Sequence, residues 1–239
     1  METPQSEKRP LQKMFTSVPP SYDLLNRVLT FGQDESWRKK AASLCVENNP
    51  ETILDLCCGT GDLTIHLKRK AAPGTEIRAL DFSPPMLELA KKKATNHNMN
   101  EIEFIQGDAA AMPFSDNYFD SIGIAFAFRN LTYNNPDRDK FLAEILRVLK
   151  PGGRFVIVET SQPKNPVFRK LFHWQLRWIT APVGGLFSGQ YGAYKYLAHS
   201  ASNYHDSREL EELLTEAGFN SVSTQHLMGG ITGLTMALK

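Results

Sequence analysis

Leu54-Asp55-Leu56-Cys57-Cys58-Gly59-Thr60-Gly61-Asp62-Leu63-Thr64 decides how this chain folds. An apolar run enters a tight glycine turn, and a helical pattern leaves it. A strand, a loop and a helix N-terminus in that order form the place where open α/β sheets hold nucleotide-like ligands. Charge narrows the ligand. A loop that holds pyrophosphate offers backbone N–H groups to an anion and is neutral or basic. Here Asp55 lies four residues before Gly59, and Asp62 follows Gly61. Two carboxylates suit a ligand with a cationic end. Thr64 stands where the third glycine of G-x-G-x-x-G would be. S-adenosylmethionine, with a sulfonium and an ammonium and no phosphate, is therefore expected in preference to a dinucleotide.

Composition bounds the rest. A chain of 239 residues suffices for one α/β domain with an insertion. Its 27 Lys and Arg balance 26 Asp and Glu, so it lacks the basic footprint of a nucleic-acid binder. No apolar run approaches the roughly 20 residues of a membrane span. Met1 to Pro10 is polar and charged, without the apolar core of a signal peptide. The cysteines are Cys45, Cys57 and Cys58. An odd count with an adjacent pair is not a disulfide framework, and no metal-ligand spacing occurs, so no metal is expected. A reduced, cytoplasmic compartment follows.

Strands and helices alternate along the chain. Leu11 to Val46 suggests short helices broken at Pro19-Pro20 and Gly32. Strands are expected at Thr52 to Cys57, Glu76 to Leu80, Ile102 to Gln106, Phe119 to Phe126 and Arg154 to Glu159. Between them, Ser83-Pro84 supplies an N-cap and first-turn proline for a helix through Asn96. Asp137 to Lys150 is expected as a helix closed by Pro151-Gly152-Gly153. After residue 206 come a helix, Glu209 to Ala217, and two strands, Ser221 to Leu227 and Ile231 to Leu238, close enough for a hairpin. Repeated βα units give an α/β fold with a mostly parallel sheet, helices on both faces and an antiparallel closing strand.

Acidic residues recur at strand ends. Asp81 lies about 20 residues past the glycine loop, where a carboxylate accepts from ribose hydroxyls. Asp108 is placed to accept from an adenine amino group, with the Ala109 N–H completing the base edge. Gly59, Thr60 and Gly61 form the loop itself. Each acid also has a plainer role open to it, since Asp after a strand often caps a helix or makes a turn. Asp120 is expected to be structural.

Four segments carry a resemblance to a known family. They are Met14-Phe15 with Tyr22-Asp23-Leu24-Leu25-Asn26; Leu54 to Thr64; Phe126-Ala127-Phe128-Arg129-Asn130; and Leu149-Lys150-Pro151-Gly152-Gly153-Arg154. Phe31-Gly32 and Trp37-Arg38 add to the first. The chain resembles the ubiquinone/menaquinone biosynthesis C-methyltransferases, a branch of the class I S-adenosylmethionine-dependent methyltransferases. Ala127 and Phe128 depart from the family's usual glycine and leucine. The resemblance implies a Rossmann-like, seven-stranded fold. It places cofactor contacts on Thr60, Asp81, Asp108 and Ala109, and the methyl acceptor beside Arg129 and Asn130. Thr160-Ser161-Gln162-Pro163 is more like the menaquinone-type members, so demethylmenaquinol is the expected acceptor. A benzoquinol, or another lipophilic phenol or sterol-like compound, is the alternative. A non-catalytic binding module and a nicotinamide-dependent dehydrogenase fit less well. The first has no need of Arg129-Asn130; the second is opposed by Thr64 and the acidic loop. Residues 1–46 are expected to cap the site, and 47–239 to form the methyltransferase domain, with 160–206 as a lid.

That lid holds nine aromatics: Phe168, Phe172, Trp174, Trp178, Phe187, Tyr191, Tyr194, Tyr196 and Tyr204. At about 100° per residue, Phe168, Leu171, Phe172, Leu176, Trp178 and Ile179 share a broad face, opposite Arg169, Lys170, His173 and Arg177. Such a helix suits either peripheral contact with the inner face of a membrane or packing on its own domain. A polyprenyl quinol fits a lid of this kind, because its tail stays in lipid at roughly 0.8 kcal/mol per buried methylene. Tyr22, His173 and Tyr191 are candidates to line the acceptor pocket. Arg129 is suited to stabilise a ring oxygenate, and a permanently cationic guanidinium does not act as a base itself. A second copy of the chain is a further candidate partner.

Overall fold

The computed structural model describes residues 27, 30, 32–188 and 191–239. Among the described residues the first helix, α1 (Gln33–Cys45), precedes the alternating units. These are β1 (Thr52–Leu56), α2 (Asp62–Lys70), β2 (Glu76–Asp81), α3 (Pro84–Asn96), β3 (Glu103–Gln106) and β4 (Phe119–Ala125). Then follow α4 (Phe128–Thr132), α5 (Arg138–Val148) and β5 (Leu149–Thr160). A helical insertion comes next: α6 (Pro166–Gln175), a π-helical turn at Leu176–Thr180, α7 (Ala181–Ser188) and α8 (Tyr191–Ser202). The chain ends with α9 (Ser207–Ala217), β6 (Ser221–Leu227) and β7 (Thr232–Leu238).

Seven strands form one sheet in the order β3-β2-β1-β4-β5-β7-β6. The pairs from β3 through β5 are parallel, and β7 is antiparallel to both β5 and β6. Strand order reverses between β1 and β4, so the ends of those strands open a crevice at the carboxyl edge. Alternation along β1 sends Leu54 and Leu56 to one face and Ile53 to the other. On the first face they meet Phe128, Ile145 and Leu214, from α4, α5 and α9. On the second, Trp37, Leu63 and Leu87 of α1, α2 and α3 complete the core. Each such fully buried aliphatic side chain contributes about 1.5–3 kcal/mol of burial.

The predicted elements differ from the structure at their ends. Helix α5 stops at Val148, because Leu149 already pairs with Phe119 of β4. Pro151-Gly152-Gly153 therefore lies inside β5, as an irregularity between the Phe119 and Ser121 pairings. There Gly152 takes φ +74° and donates to the Lys239 carbonyl at 2.9 Å. Strand β4 ends one residue early, because Phe126 enters the left-handed region at φ +58°. Ser83 occupies the N-cap of α3, but its hydroxyl is buried without a partner among the described residues. Asp120 is structural as expected: it accepts from Glu51 N–H, Thr52 N–H, the Thr52 hydroxyl and the Lys150 ammonium.

Candidate active site

The glycine loop turns by left-handed backbone at Cys57 (φ +55°), Gly59 (+54°) and Gly61 (+82°). Gly61 also needs to be small, since a Cβ there would lie 3.0 Å from the Ala90 Cβ of α3. Among the described residues nothing lies within 4 Å of a Cβ placed on Gly59, so they leave that side of the loop open. Asp81, at the end of β2, accepts from the Gly59 N–H at 2.8 Å and the Ser83 N–H at 2.9 Å. It thus pins the loop and the start of α3 together. Burial pushes its carboxyl up, against the pull of these bonds.

Asp55 is fully buried and accepts from the Thr64 hydroxyl. Burial pushes it up to about 7, and the neighbouring Asp81 charge adds to the rise. Thr64 is therefore more than an absent glycine: it holds the Asp55 carboxyl in place. Asp62 departs from the expected role. Its carboxylate is matched by Lys93 and faces Arg38 at 3.9 Å. Burial pushes it up, but Arg38 and Lys93 outweigh that and leave it below the usual range. Of the two loop carboxylates, Asp55 alone lacks a cation at ion-pair distance among the described residues. Lys93 also donates to the buried Thr60 hydroxyl at 3.3 Å.

Asp108 is exposed after β3 and accepts from the Ala110 N–H at 2.9 Å. Ala109 is buried beside it, and its N–H takes no part in the hydrogen bonds of that turn. Asp81, Asp55 and Asp108 all act on the half-buried Cys57 thiol, so the three acids ring one spot at the sheet edge. Burial pushes all three thiols up, Cys45 to about 12, so none is a reactive thiolate.

Across the crevice, α4 carries Arg129 and Asn130. Arg129 is buried, and its Nη1 donates to Glu159 Oε1 at 2.9 Å and to the Thr160 hydroxyl at 3.1 Å. Its backbone N–H donates to Glu159 Oε2 at 3.0 Å. Its Nε is buried and has no partner among the described residues. Sequence gave no reason to pair Glu159 with Arg129. The one available signal was an acid at the end of a strand adjacent to β4. Asn130 is half-buried, and its carbonyl accepts from Asn135. The insertion touches this turn. Tyr204 shares a hydrogen bond with the Thr132 hydroxyl at 2.9 Å, and Tyr196 is near enough to feel the Arg129 charge.

The acceptor-side candidates fall in three places. Tyr22 lies outside the described residues. His173 Nε2 meets Gln162 Oε1 at 2.8 Å, and burial, with Arg169 nearby, pushes its pKa down. Tyr191 starts α8 and is exposed. The apolar face of α6 divides in two. Phe172 and Leu176 point inward, whereas Leu171 and Trp178, expected beside them, are 58% and 60% exposed. The exposed line runs Val167, Leu171, Trp174 and Trp178, at helical spacing, with Lys170 and Arg177 exposed alongside.

A seven-stranded sheet of this order, with acids at three strand ends around an open glycine loop, defines a class I S-adenosylmethionine-dependent methyltransferase. The site's residues fit that cofactor: they offer a buried carboxyl and backbone amides, and no basic cradle for phosphate. The family model described as "ubiE/COQ5 methyltransferase family" matches residues 2–239, and the chain belongs to that family. A demethylmenaquinone methyltransferase of Thermus thermophilus is 42% identical over 221 residues, 92% of this chain and 97% of that one. One from Thermotoga maritima is 43% identical over 228 residues, 95% of each chain. Among solved structures, an S-adenosylmethionine-dependent methyltransferase from Aquifex aeolicus superposes with TM-score 0.60 at 18% identity, covering 95% of this chain and 96% of that one.

Proposed function

We propose that the protein C-methylates the ring of a polyprenyl quinol, demethylmenaquinol, as a step of menaquinone biosynthesis. The observation that carries this is the Arg129–Asn130 turn, with its unpartnered buried Nε, under an aromatic insertion in a chain whose relatives are named for that substrate. Asp55, Gly59, Thr60, Gly61, Asp81, Asp108 and Ala109 are the proposed cofactor residues. When bound, S-adenosylmethionine supplies an electrophilic methyl group. Asp55 balances the cationic end of that ligand, Asp81 and Asp108 take its hydroxyl and amino donors, and the glycine loop lets it approach the backbone.

On the acceptor side, the ring carbon gains nucleophilicity when the neighbouring hydroxyl loses its proton. Glu159 already neutralises Arg129, so stabilisation of the ring oxygen comes from donors aimed at it, the Arg129 Nε–H and the Asn130 amide, more than from net charge. The guanidinium does not deprotonate, so the proton leaves to water or another group. Tyr22, His173 and Tyr191 are proposed on the acceptor path, with residues 1–46 as a cap and 160–206 as a lid that excludes water. No helix of the described residues is long and apolar enough to cross a membrane. The exposed Val167–Trp178 line and its cations are proposed to rest on the cytoplasmic face of an anionic bilayer, where the quinol tail remains.

The test is methyl transfer by purified protein to short-tailed demethylmenaquinol and, separately, to a demethylated benzoquinol, with product mass as readout. Methylated menaquinol is expected, and its loss in Arg129→Ala with S-adenosylmethionine affinity retained. Product from the benzoquinol alone would reassign the acceptor, and wild-type turnover by Arg129→Ala would remove Arg129 from the mechanism.

A further inference from the structure

Phe126 ends the strand that leads into the Arg129–Asn130 turn. Its φ of +58° is a conformation that a bulky side chain enters rarely, and such strain persists only where the surroundings over-determine it. Three contacts do so. The Phe126 N–H donates to the Val158 carbonyl at 2.8 Å. The Trp37 ring lies tilted against it, centroids 6.1 Å apart. The Arg38 guanidinium sits over its ring, 5.1 Å from the centroid.

Trp37 and Arg38 come from α1, which lies outside the βα units that build the crevice. Arg38 is largely buried and has two further neighbours. It pairs with Asp34 one turn earlier, and it faces Asp62, the first residue of α2 behind the glycine loop, at 3.9 Å. One guanidinium thus touches the strained residue on the acceptor side and the helix head on the donor side. Neither acid depends on it alone. Asp62 keeps Lys93, and Asp34 keeps the Thr30 hydroxyl at 2.9 Å. Removing Arg38 therefore leaves Asp62 paired with Lys93, but leaves the buried Asp34 with the Thr30 hydroxyl and no cation among the described residues, so a loss of stability is expected beside the effect on placement and is read from the unfolding midpoints.

We propose that Arg38 is a positioning residue for methyl transfer, holding Phe126 in its left-handed turn and the head of α2 in one fixed relation. The proposal rests on Arg129 and Asn130 facing the acceptor. In-line transfer requires donor and acceptor in a near-attack arrangement, and displacement by about 1 Å costs on the order of a hundredfold. The planar guanidinium stacks on an aromatic face in a way that the compact ammonium of lysine does not.

The experiment measures kcat and both KM values of the full chain with S-adenosylmethionine and short-tailed demethylmenaquinol. The variants are Arg38→Ala, Arg38→Lys, Phe126→Leu and the double variant Arg38→Ala/Phe126→Leu, with unfolding midpoints recorded for each. Arg38→Ala is expected to lower kcat by about tenfold or more, with the KM for S-adenosylmethionine changed by less than about threefold. Phe126→Leu should cost a similar factor, and the double variant little beyond either single one, because the two act as a unit. Arg38→Lys, which keeps the charge at Asp34 and Asp62, should recover only part of kcat, and it carries the test should Arg38→Ala fail to fold. Wild-type kcat in both Arg38 variants, or fully multiplicative losses in the double variant, would overturn the assignment while leaving the acceptor site intact. No turnover by the wild-type protein would overturn the acceptor site and this assignment together.

Discussion

At Asp55, burial pushes the carboxyl up to about 7 although the Thr64 hydroxyl donates to it. In an unfolded chain the same group ionises near about 3.9. Between those values the folded protein holds a proton that the unfolded chain has released. Its contribution to stability is therefore full below about pH 4 and is lost as pH rises through about 7. Urea midpoints of wild type and Asp55→Asn across pH 4–8 should show the wild type losing stability relative to the variant as pH rises. A constant difference would mean that Asp55 ionises normally. A cationic ligand favours the ionised carboxyl, so S-adenosylmethionine affinity should climb with pH towards about 7, by up to about tenfold per unit, in calorimetric titrations. Asp55→Asn should bind more weakly and without that climb. The position of this acid was visible in the sequence. Its proton was not, because burial and the Thr64 partner are set by how α2 packs on β1.

At the scale of elements, α6 shows what a helical wheel leaves open. Its apolar residues were legible, but which of them face the protein was not. Apolar side chains span more than one side, and the inward direction is set by Ala198 and Ala201 of α8 and Ile231 before β7. The outward line is then the unusual one. Apart from Met228, every exposed large hydrophobic among the described residues belongs to the insertion. Tryptophans at that spacing beside Lys170 and Arg177 suit the boundary of an anionic bilayer. Co-sedimentation with phosphatidylglycerol-containing vesicles is expected for the wild type, falling by about tenfold in Trp174→Ser/Trp178→Ser. Equal sedimentation of both proteins would place the contact elsewhere. Because both tryptophans are more than half exposed, the double variant should keep its unfolding midpoint.

The whole molecule was legible where pattern is local and opaque where contacts are distant. Strand and helix order, the closing hairpin and the crevice follow from alternation, glycine turns and the right-handed crossover rule. The Arg129–Glu159 pair and the Arg38 seam join residues 30 and 88 positions apart, and no local pattern announces them. Asp120 is intermediate: it looked structural, and it lashes the start of β1 to β4 and Lys150 at the edge of the sheet opposite the site. Asp120→Ala should remove the acceptor shared by the exposed Glu51 N–H and the half-buried Thr52 N–H and cost about 0.5–1.5 kcal/mol in urea unfolding. Its methyl-transfer rate per folded molecule should not change. A selective loss of rate would show that the two edges of the sheet are coupled.

Gln162 closes the insertion on itself. Just past β5, its side-chain nitrogen donates to the Ala201 carbonyl at the far end of the insertion, at 2.8 Å, and its oxygen meets His173. The two roots of the insertion are therefore tied directly to each other as well as to the sheet. A segment closed in this way behaves as a cassette. A change of its outer face for a different greasy acceptor would then stay within the segment. The donor half of the enzyme would be left as it stands.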